Sequence, residues 1–140
     1  MDFMQEYEKW LHSPALSPEE HAELESIKND PKEIESRFFG PLEFGTAGLR
    51  GTMYTGLHNM NIHVIRWATQ GFAQVICAEG EEGKHRGVAI CMDCRNNNML
   101  FSHAAAEVCA GNGIHDASYV ERYYDTLKYI CLLYTSPSPR

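Results

Sequence analysis

Leu42-Glu43-Phe44-Gly45-Thr46-Ala47-Gly48-Leu49-Arg50-Gly51 is the stretch on which the reading of this chain turns. Glycines stand at every third position, with a hydroxyl at Thr46 and a guanidinium at Arg50, where a helical region gives way to a strand. Glycine lets the backbone take positive φ and come close to a ligand. A threonine hydroxyl and a guanidinium fork are groups that hold phosphate oxygens. The stretch therefore reads either as a loop facing an anion or as a plain Gly-rich turn. It is not a Walker loop, because the Gly-Lys-Ser/Thr ending is missing.

Upstream, the chain is helical and punctuated. Phe3, Tyr7, Trp10 and Leu11 recur at helical spacing and give one apolar face. Ser17-Pro18-Glu19-Glu20 is a helix start, with Ser17 as N-cap, Pro18 at the first helical position and Glu20 closing a capping box. Leu24 and Ile27 form that helix's inner side. Asp30-Pro31-Lys32-Glu33 repeats the signal, with Ile34 and Phe38 facing inward. The pattern predicts an N-terminal helical arm over residues 1–40, packed on something larger.

Downstream the pattern changes to alternating strands and helices. Leu49 to Thr55 is expected as a strand, ending in a turn at Thr55-Gly56-Leu57-His58-Asn59. Asn61 is expected to cap a long helix whose stripe is Ile62, Ile65, Thr69, Phe72 and Ile76, widened by Ala68 and Val75. Gly80 to Arg86 reads as a charged surface loop. The continuous apolar run Gly87-Val88-Ala89-Ile90-Cys91-Met92 suits a strand buried on both faces. Asn96, Asn97 and Asn98 supply turn and cap chemistry. A further helix follows, with Phe101, Ala104, Ala105, Val108 and Cys109 inward, ended by Gly111-Asn112-Gly113. Strand, helix, strand, helix predicts a layered α/β fold with right-handed crossovers.

Ligands of such sheets bind beyond the carboxyl ends of strands, where Asp93-Cys94-Arg95 lies. Arg95 can hold an anion there with Asp93 orienting it, or the two form a loop ion pair worth under about 1 kcal/mol. Cys91 and Cys94 have the spacing of a metal or redox pair, but no second pair or His partner stands at a usable distance, so no metal site is expected. The seven histidines are scattered, and His63 and His103 read as surface or packed imidazoles.

The length of 140 residues allows one domain or part of a larger one, and the 44% hydrophobic content is that of a globular chain. No apolar run is long enough to cross a bilayer, and the acidic start is not a signal peptide. A formal charge of −7 argues against a nucleic-acid surface. Five cysteines without a secretory signal read as reduced thiols of a cytoplasmic protein.

Three ordered motifs resemble the α-D-phosphohexomutases, the phosphoglucomutase and phosphomannomutase superfamily. Leu42 to Gly51 is similar to that family's opening motif. Asn59-Met60-Asn61, followed by Ala68-Thr69-Gln70-Gly71-Phe72-Ala73, resembles its first domain-one helix and lead-in. Val88 to Arg95, then Ala104-Ala105-Ala106-Glu107 and Gly111-Asn112-Gly113-Ile114, resembles its Asp-x-Arg strand end and following helix. The capped helices upstream suit the longer subgroup of bacterial phosphoglucomutases and phosphopentomutase-like relatives.

The resemblance implies a three-layer α/β/α mixed sheet, here the incomplete first domain of a four-domain enzyme preceded by short helices. It implies a phosphoserine that donates its phosphoryl group to a sugar phosphate, a sugar bisphosphate intermediate and activator, and Mg2+ at the phosphoserine. Arg50 matches the arginine that reaches toward phosphate, Thr46 and Gly48 shape its loop, and Asp93 and Arg95 support the base of the active-site face. The phosphosugar is then the partner, with no nucleic acid and no membrane.

Departures from the family are equally informative. The Thr-Ala-Ser-His-Asn-Pro type serine loop, the Asp-x-Asp-x-Asp-Arg metal loop, the sugar-selecting loop and the C-terminal phosphate loop are not in this sequence. At His58-Asn59 the family often has Asn-Arg, so one basic group is missing. Cys131 to Arg140 back-translates to TGT CTC TTA TAC ACA TCT CCG AGC CCA CGA, which resembles a sequencing adapter read in frame. The expected organisation is an arm at 1–40, part of domain I at 41–115, an unmatched segment at 116–130 and an adapter-derived tail at 131–140. The chain is expected to be an inactive N-terminal fragment of the mutase. The alternative is a non-catalytic α/β module that binds an anion through the Gly-rich loop.

Overall fold

The first helix, α1 (Phe3–Leu11), begins where the Asp2 carboxylate accepts hydrogen bonds from the amides of Met4 and Gln5. The computed structural model describes residues 2–46, 48–90 and 96–114. These fall into two compact units that meet between Asn61 and Ile62 in sequence.

In the first unit, helix α2 (Pro18–Ser26) carries the capping box that its sequence announces. Ser17 N donates to Glu20 Oε2 at 2.8 Å, and Glu20 N donates to Ser17 Oγ at 3.2 Å. Asp30 caps α3 (Pro31–Phe38) in the same way, accepting from Lys32 N and Glu33 N at 3.2 Å each. Tyr7, Leu11, Leu16, Leu24, Ile34, Phe38 and Leu57 form the core, with Phe3, Trp10 and Ile27 packed against it. The Phe38 ring receives Tyr7 and Trp10 edge-on, with centroids 5.7 and 5.8 Å away. Tyr7 Oη donates to Leu24 O at 3.0 Å, so its polar tip is satisfied inside the core.

After α3 comes a short antiparallel pair, β1 (Phe44–Gly45) and β2 (Gly48–Leu49), with Phe44 opposite Leu49 and Gly45 opposite Gly48. The strand expected from Leu49 to Thr55 ends at Leu49. The reason lies in where the later backbone groups go. Thr52 O accepts Met60 N at 2.8 Å, and Thr55 N donates to the Glu23 carboxylate, so neither group is left for a sheet partner. Residues 52–60 form a loop instead.

The second unit contains α4 (Ile62–Ala78), α5 (Glu81–Arg86) and α6 (Asn98–Gly111). Val64, Ile65, Thr69 and Ala73 are the buried residues of α4, against Phe101, Ala104, Ala105 and Cys109 of α6. Two predicted stripe members point elsewhere: Phe72 is 38% and Val75 63% exposed. This helix is apolar around most of its circumference, so periodicity alone does not choose the packed side.

Polar pairs fix the α4–α6 contact. Arg66 meets Glu107 at 2.7 Å, and the Gln70 and Asn112 amides exchange bonds of 3.1 and 2.9 Å. Gly80 to Arg86 is helical from Glu81 rather than a loop. Glu81 and Glu82 at its start and Lys84, His85 and Arg86 at its end oppose the helix dipole.

Asn97 occupies the α6 cap position in the left-handed region (φ 60°), without a side-chain capping bond. At the other end, Gly113 takes φ 71°, Gly113 N donates to Ala110 O at 2.9 Å and Ile114 N to Cys109 O at 3.0 Å. This is a Schellman stop, as the Gly-Asn-Gly sequence predicts.

Val88 and Ile90 are buried. No strand pairing is assigned to Gly87–Ile90, and the strand content of the described residues is the β1–β2 pair. Cys91 and Met92, the rest of that predicted strand, and the Asp93-Cys94-Arg95 triplet after it lie outside the described residues, as does everything from His115 onward. Among the described residues no helix is long and apolar enough to cross a membrane.

Candidate functional site: the Arg50 hairpin and its anchor

The β1–β2 register places Thr46 in the turn between Gly45 and Gly48. Gly48 has φ 94°, a conformation that a residue with Cβ adopts only under strain. Thr46 and Arg50 are exposed, and Gly48 is half-buried. The Arg50 guanidinium makes no hydrogen bond or ion pair with the described residues. The three predicted residues thus share one hairpin. Asp93 and Arg95 lie outside the described residues.

Both ends of the hairpin are tied to the loop 52–60. Before it, Leu42 N donates to Leu57 O at 3.1 Å. After it, Gly51 lies so close to its neighbours that an added Cβ would meet Leu42 Cδ1 at 3.2 Å and Met60 Cγ at 3.5 Å. Asn59 Nδ2 donates to Thr52 Oγ1 at 2.6 Å, beside the Met60–Thr52 backbone bond. Asn59 is 4% exposed, and its Oδ1 has no partner among the described residues. The Asn61 amide donates back to Tyr54 O at 3.0 Å and Gly56 O at 2.7 Å.

The loop in turn wraps a buried arginine. Arg37 of α3 is 5% exposed, and its guanidinium meets Glu23 of α2 at 2.5 Å and Glu33 at 2.8 Å. Its face lies over the Tyr54 ring at 4.5 Å. Thr55 closes the cluster: Oγ1 donates to Glu23 Oε2 at 2.6 Å, and N reaches both carboxylate oxygens at 3.2 and 3.3 Å. His58 N donates to Arg37 O at 2.9 Å, and the His58 ring packs on Phe39 with centroids 4.0 Å apart.

Glu23, Arg37, Thr55 and Asn59 were not among the predicted site residues. The Glu33–Arg37 spacing is legible as a helix pair, but its burial depends on a loop that follows α3.

The hairpin can present a guanidinium to an anion from a fixed backbone. It offers no metal cage, since no group of three or more His, Cys, Asp or Glu that could hold an ion is found among the described residues. These residues do not fit the Mg2+ that the resemblance implies.

Residues 41–126 match the family model described as phosphoglucomutase/phosphomannomutase, alpha/beta/alpha domain I. The chain belongs to this family of phosphosugar mutases, and its fold class is that of the α/β/α first domain. The match begins just ahead of the hairpin and runs into the segment 116–130.

Among individual proteins, the chain is similar to a phosphomannomutase of Mycoplasma genitalium, 31% identical over 110 residues, covering 77% of this chain and 20% of that protein. It is 36% identical over 117 residues to a phosphopentomutase of Mus musculus, covering 76% of this chain and 18% of the mouse protein. A phosphoglucomutase of Staphylococcus saprophyticus is 35% identical over 83 residues, covering 59% and 14% of the two chains. No solved structure matches. The chain spans about a fifth of the length of the first relatives it matches.

Proposed function

We propose that this chain supplies the opening part of domain I of a phosphosugar mutase, and that Arg50 receives a phosphate group of the sugar phosphate. The observation that carries this reading is an exposed guanidinium without a partner among the described residues, on a hairpin anchored at both ends, inside the family-matched region. A guanidinium binds a phosphate dianion through two parallel hydrogen bonds and always carries its charge. Thr46 and Gly48 shape the turn that presents it.

In the whole protein the reaction moves a phosphoryl group between two oxygens of one sugar, through a phosphoserine and a bisphosphate intermediate. Such transfer depends on positioning and on charge stabilisation, and Arg50 contributes both to the phosphate it holds. The residues that donate the phosphoryl group, and any Mg2+ that serves it, belong to the whole protein, as does the sugar bisphosphate activator. The chain alone is proposed to be catalytically inactive, cytoplasmic, and without nucleic-acid or membrane partners. An arm (1–40), part of domain I from residue 41 and an adapter-derived tail (131–140) are likewise proposed; the family match to residue 126 carries domain I past the expected end at 115, into the segment 116–130 expected to be unmatched. The first boundary is supported by the family match starting at residue 41.

The test is a titration of the chain with glucose 1-phosphate and with inorganic phosphate, followed by NMR. Shifts are expected at Gly48 to Gly51 and at Arg50 Nε–Hε. Arg50→Ala should weaken binding by about 10- to 100-fold, the equivalent of about 1.5–3 kcal/mol for a charged hydrogen bond. Equal binding by Arg50→Ala refutes the role of Arg50. Formation of glucose 6-phosphate by the chain alone refutes its inactivity.

A further inference from the structure

We propose that the buried cluster of Glu23, Arg37 and Thr55 positions Arg50, with the Thr55 hydroxyl on Glu23 as the bond that fixes the loop. This rests on the reading of Arg50 as the phosphate group.

A short hairpin with no further strand beside it among the described residues has little stiffness of its own. Here its two stems end on the loop 52–60. Leu42 is held by Leu57. On the Arg50 side, Gly51 lies against Leu42 and Met60, and Thr52 is held by Met60 and Asn59. The loop takes its shape from Arg37: Thr55 O accepts from Arg37 Nη1 at 3.4 Å, His58 N donates to Arg37 O, and Tyr54 stacks on the guanidinium. The Glu23 carboxylate then binds Arg37 and Thr55 together, across a sequence separation of 32 residues from Glu23 to Thr55. One carboxylate thereby joins α2, α3 and the loop that anchors the hairpin.

Burying a charge cluster is a poor route to stability, because well-packed apolar residues of the same volume often do as well or better. What such a cluster supplies is directional geometry. Apolar packing at Thr55 would tolerate a sliding loop; a carboxylate accepting from an amide, a hydroxyl and a guanidinium does not.

The experiment uses the 140-residue chain with Thr55→Val, Thr55→Ser and Glu23→Gln. Two readouts are taken: ligand-free heteronuclear NOEs at the described amides of Gly48 to Thr52 and at Arg50 Nε–Hε, and the Kd for inorganic phosphate. Thr55→Val, which keeps shape and loses the hydroxyl, is expected to lower the NOEs. It should raise the phosphate Kd about threefold or more, as when the competent fraction falls to about a third. Thr55→Ser should restore both. A Thr55→Val chain with a lowered Tm but wild-type NOEs and Kd overturns the proposal, since Thr55 is then structural only. If Thr55→Val does not fold, Glu23→Gln gives the same two readouts with the charge removed and one of the two acceptor oxygens replaced by a donor amide, and is expected to lower the NOEs and raise the Kd likewise. Absence of phosphate binding in the wild type, or its survival in Arg50→Ala, refutes the functional reading of Arg50. The ligand-free NOEs still decide the positioning claim in that case.

Discussion

Gly56 offers a sharp test of the loop that wraps Arg37. Its φ is +151°, which side-chain-bearing residues rarely adopt. An added Cβ would lie 2.9 Å from Arg37 Cβ, 2.9 Å from Asn59 Oδ1 and 3.0 Å from Arg37 O. None of these neighbours moves freely. Arg37 O is held by His58 N, and the Arg37 side chain is clasped by Glu23 and Glu33. Gly56→Ala therefore combines backbone strain of about 1–3 kcal/mol with overpacking of about 1–3 kcal/mol. A loss of roughly 2–6 kcal/mol follows, and a fall in Tm of about 10 °C or more for a unit of this size.

The measurement is urea and thermal unfolding in a Trp67→Phe background. Trp10, edge-on to Phe38 in the first core, is then the sole tryptophan. The matched control is Gly71→Ala on the exposed side of α4, where an added Cβ meets nothing within 4 Å. There the same substitution is expected to stabilise by about 0.5–1 kcal/mol through helix propensity, read as slower amide exchange along α4. A Gly56→Ala chain within about 0.5 kcal/mol of the parent, or a destabilised Gly71→Ala chain, would refute the reasoning.

Two further outcomes concern titratable groups in the cores. Burial, then the charges of Glu25 and Glu8, push the Tyr7 phenol above its ordinary value of 10.0. The folded state holds that proton more tightly than the unfolded one. Its contribution is complete below pH 10 and is lost as pH rises through the folded value. A Tm series from pH 8 to about 11 should show this decline, and Tyr7→Phe should flatten it while costing about 1 kcal/mol at neutral pH; an unchanged alkaline slope in the variant would reject the assignment. Burial alone pushes the Cys109 thiol above its ordinary value of 9.0. Peptide mapping after iodoacetamide should find Cys109 protected in the native chain and alkylated in urea. Equal labelling in both states would contradict the burial.

Features whose causes are local were legible in the sequence. The Ser17 capping box, the Asp30 cap and the Gly113 stop each depend on a few adjacent residues, and each formed where the sequence placed it. The arm's inner residues Tyr7, Leu24, Ile34 and Phe38 were legible because those helices have one apolar side. Features set by distant partners were not. Thr55 left the predicted strand because its amide and hydroxyl find Glu23. Arg37 is buried because the loop that follows later in the chain covers it. On α4, apolar residues surround much of the helix, so the position of α6 decided which of them were buried. Of the candidate site, the grouping of Thr46, Gly48 and Arg50 in one Gly-rich loop was legible, whereas the hairpin pairing and the anchor that holds it were not.

The amide pair at the end of α6 also bears on how the chain ages chemically. Asn112-Gly113 is an Asn-Gly step, the sequence most prone to deamidation, because an unhindered glycine amide can attack the preceding side chain. Folding occupies both reactants. Asn112 Nδ2 donates to Gln70 Oε1 at 2.9 Å and Val108 O at 2.8 Å, while Gly113 N is committed to Ala110 O. Ring closure to the succinimide would require breaking these bonds together. The stop signal that ends the helix thus protects the weakest covalent point in its own sequence, and the rate of damage at Asn112 becomes a clock for how often α6 comes undone.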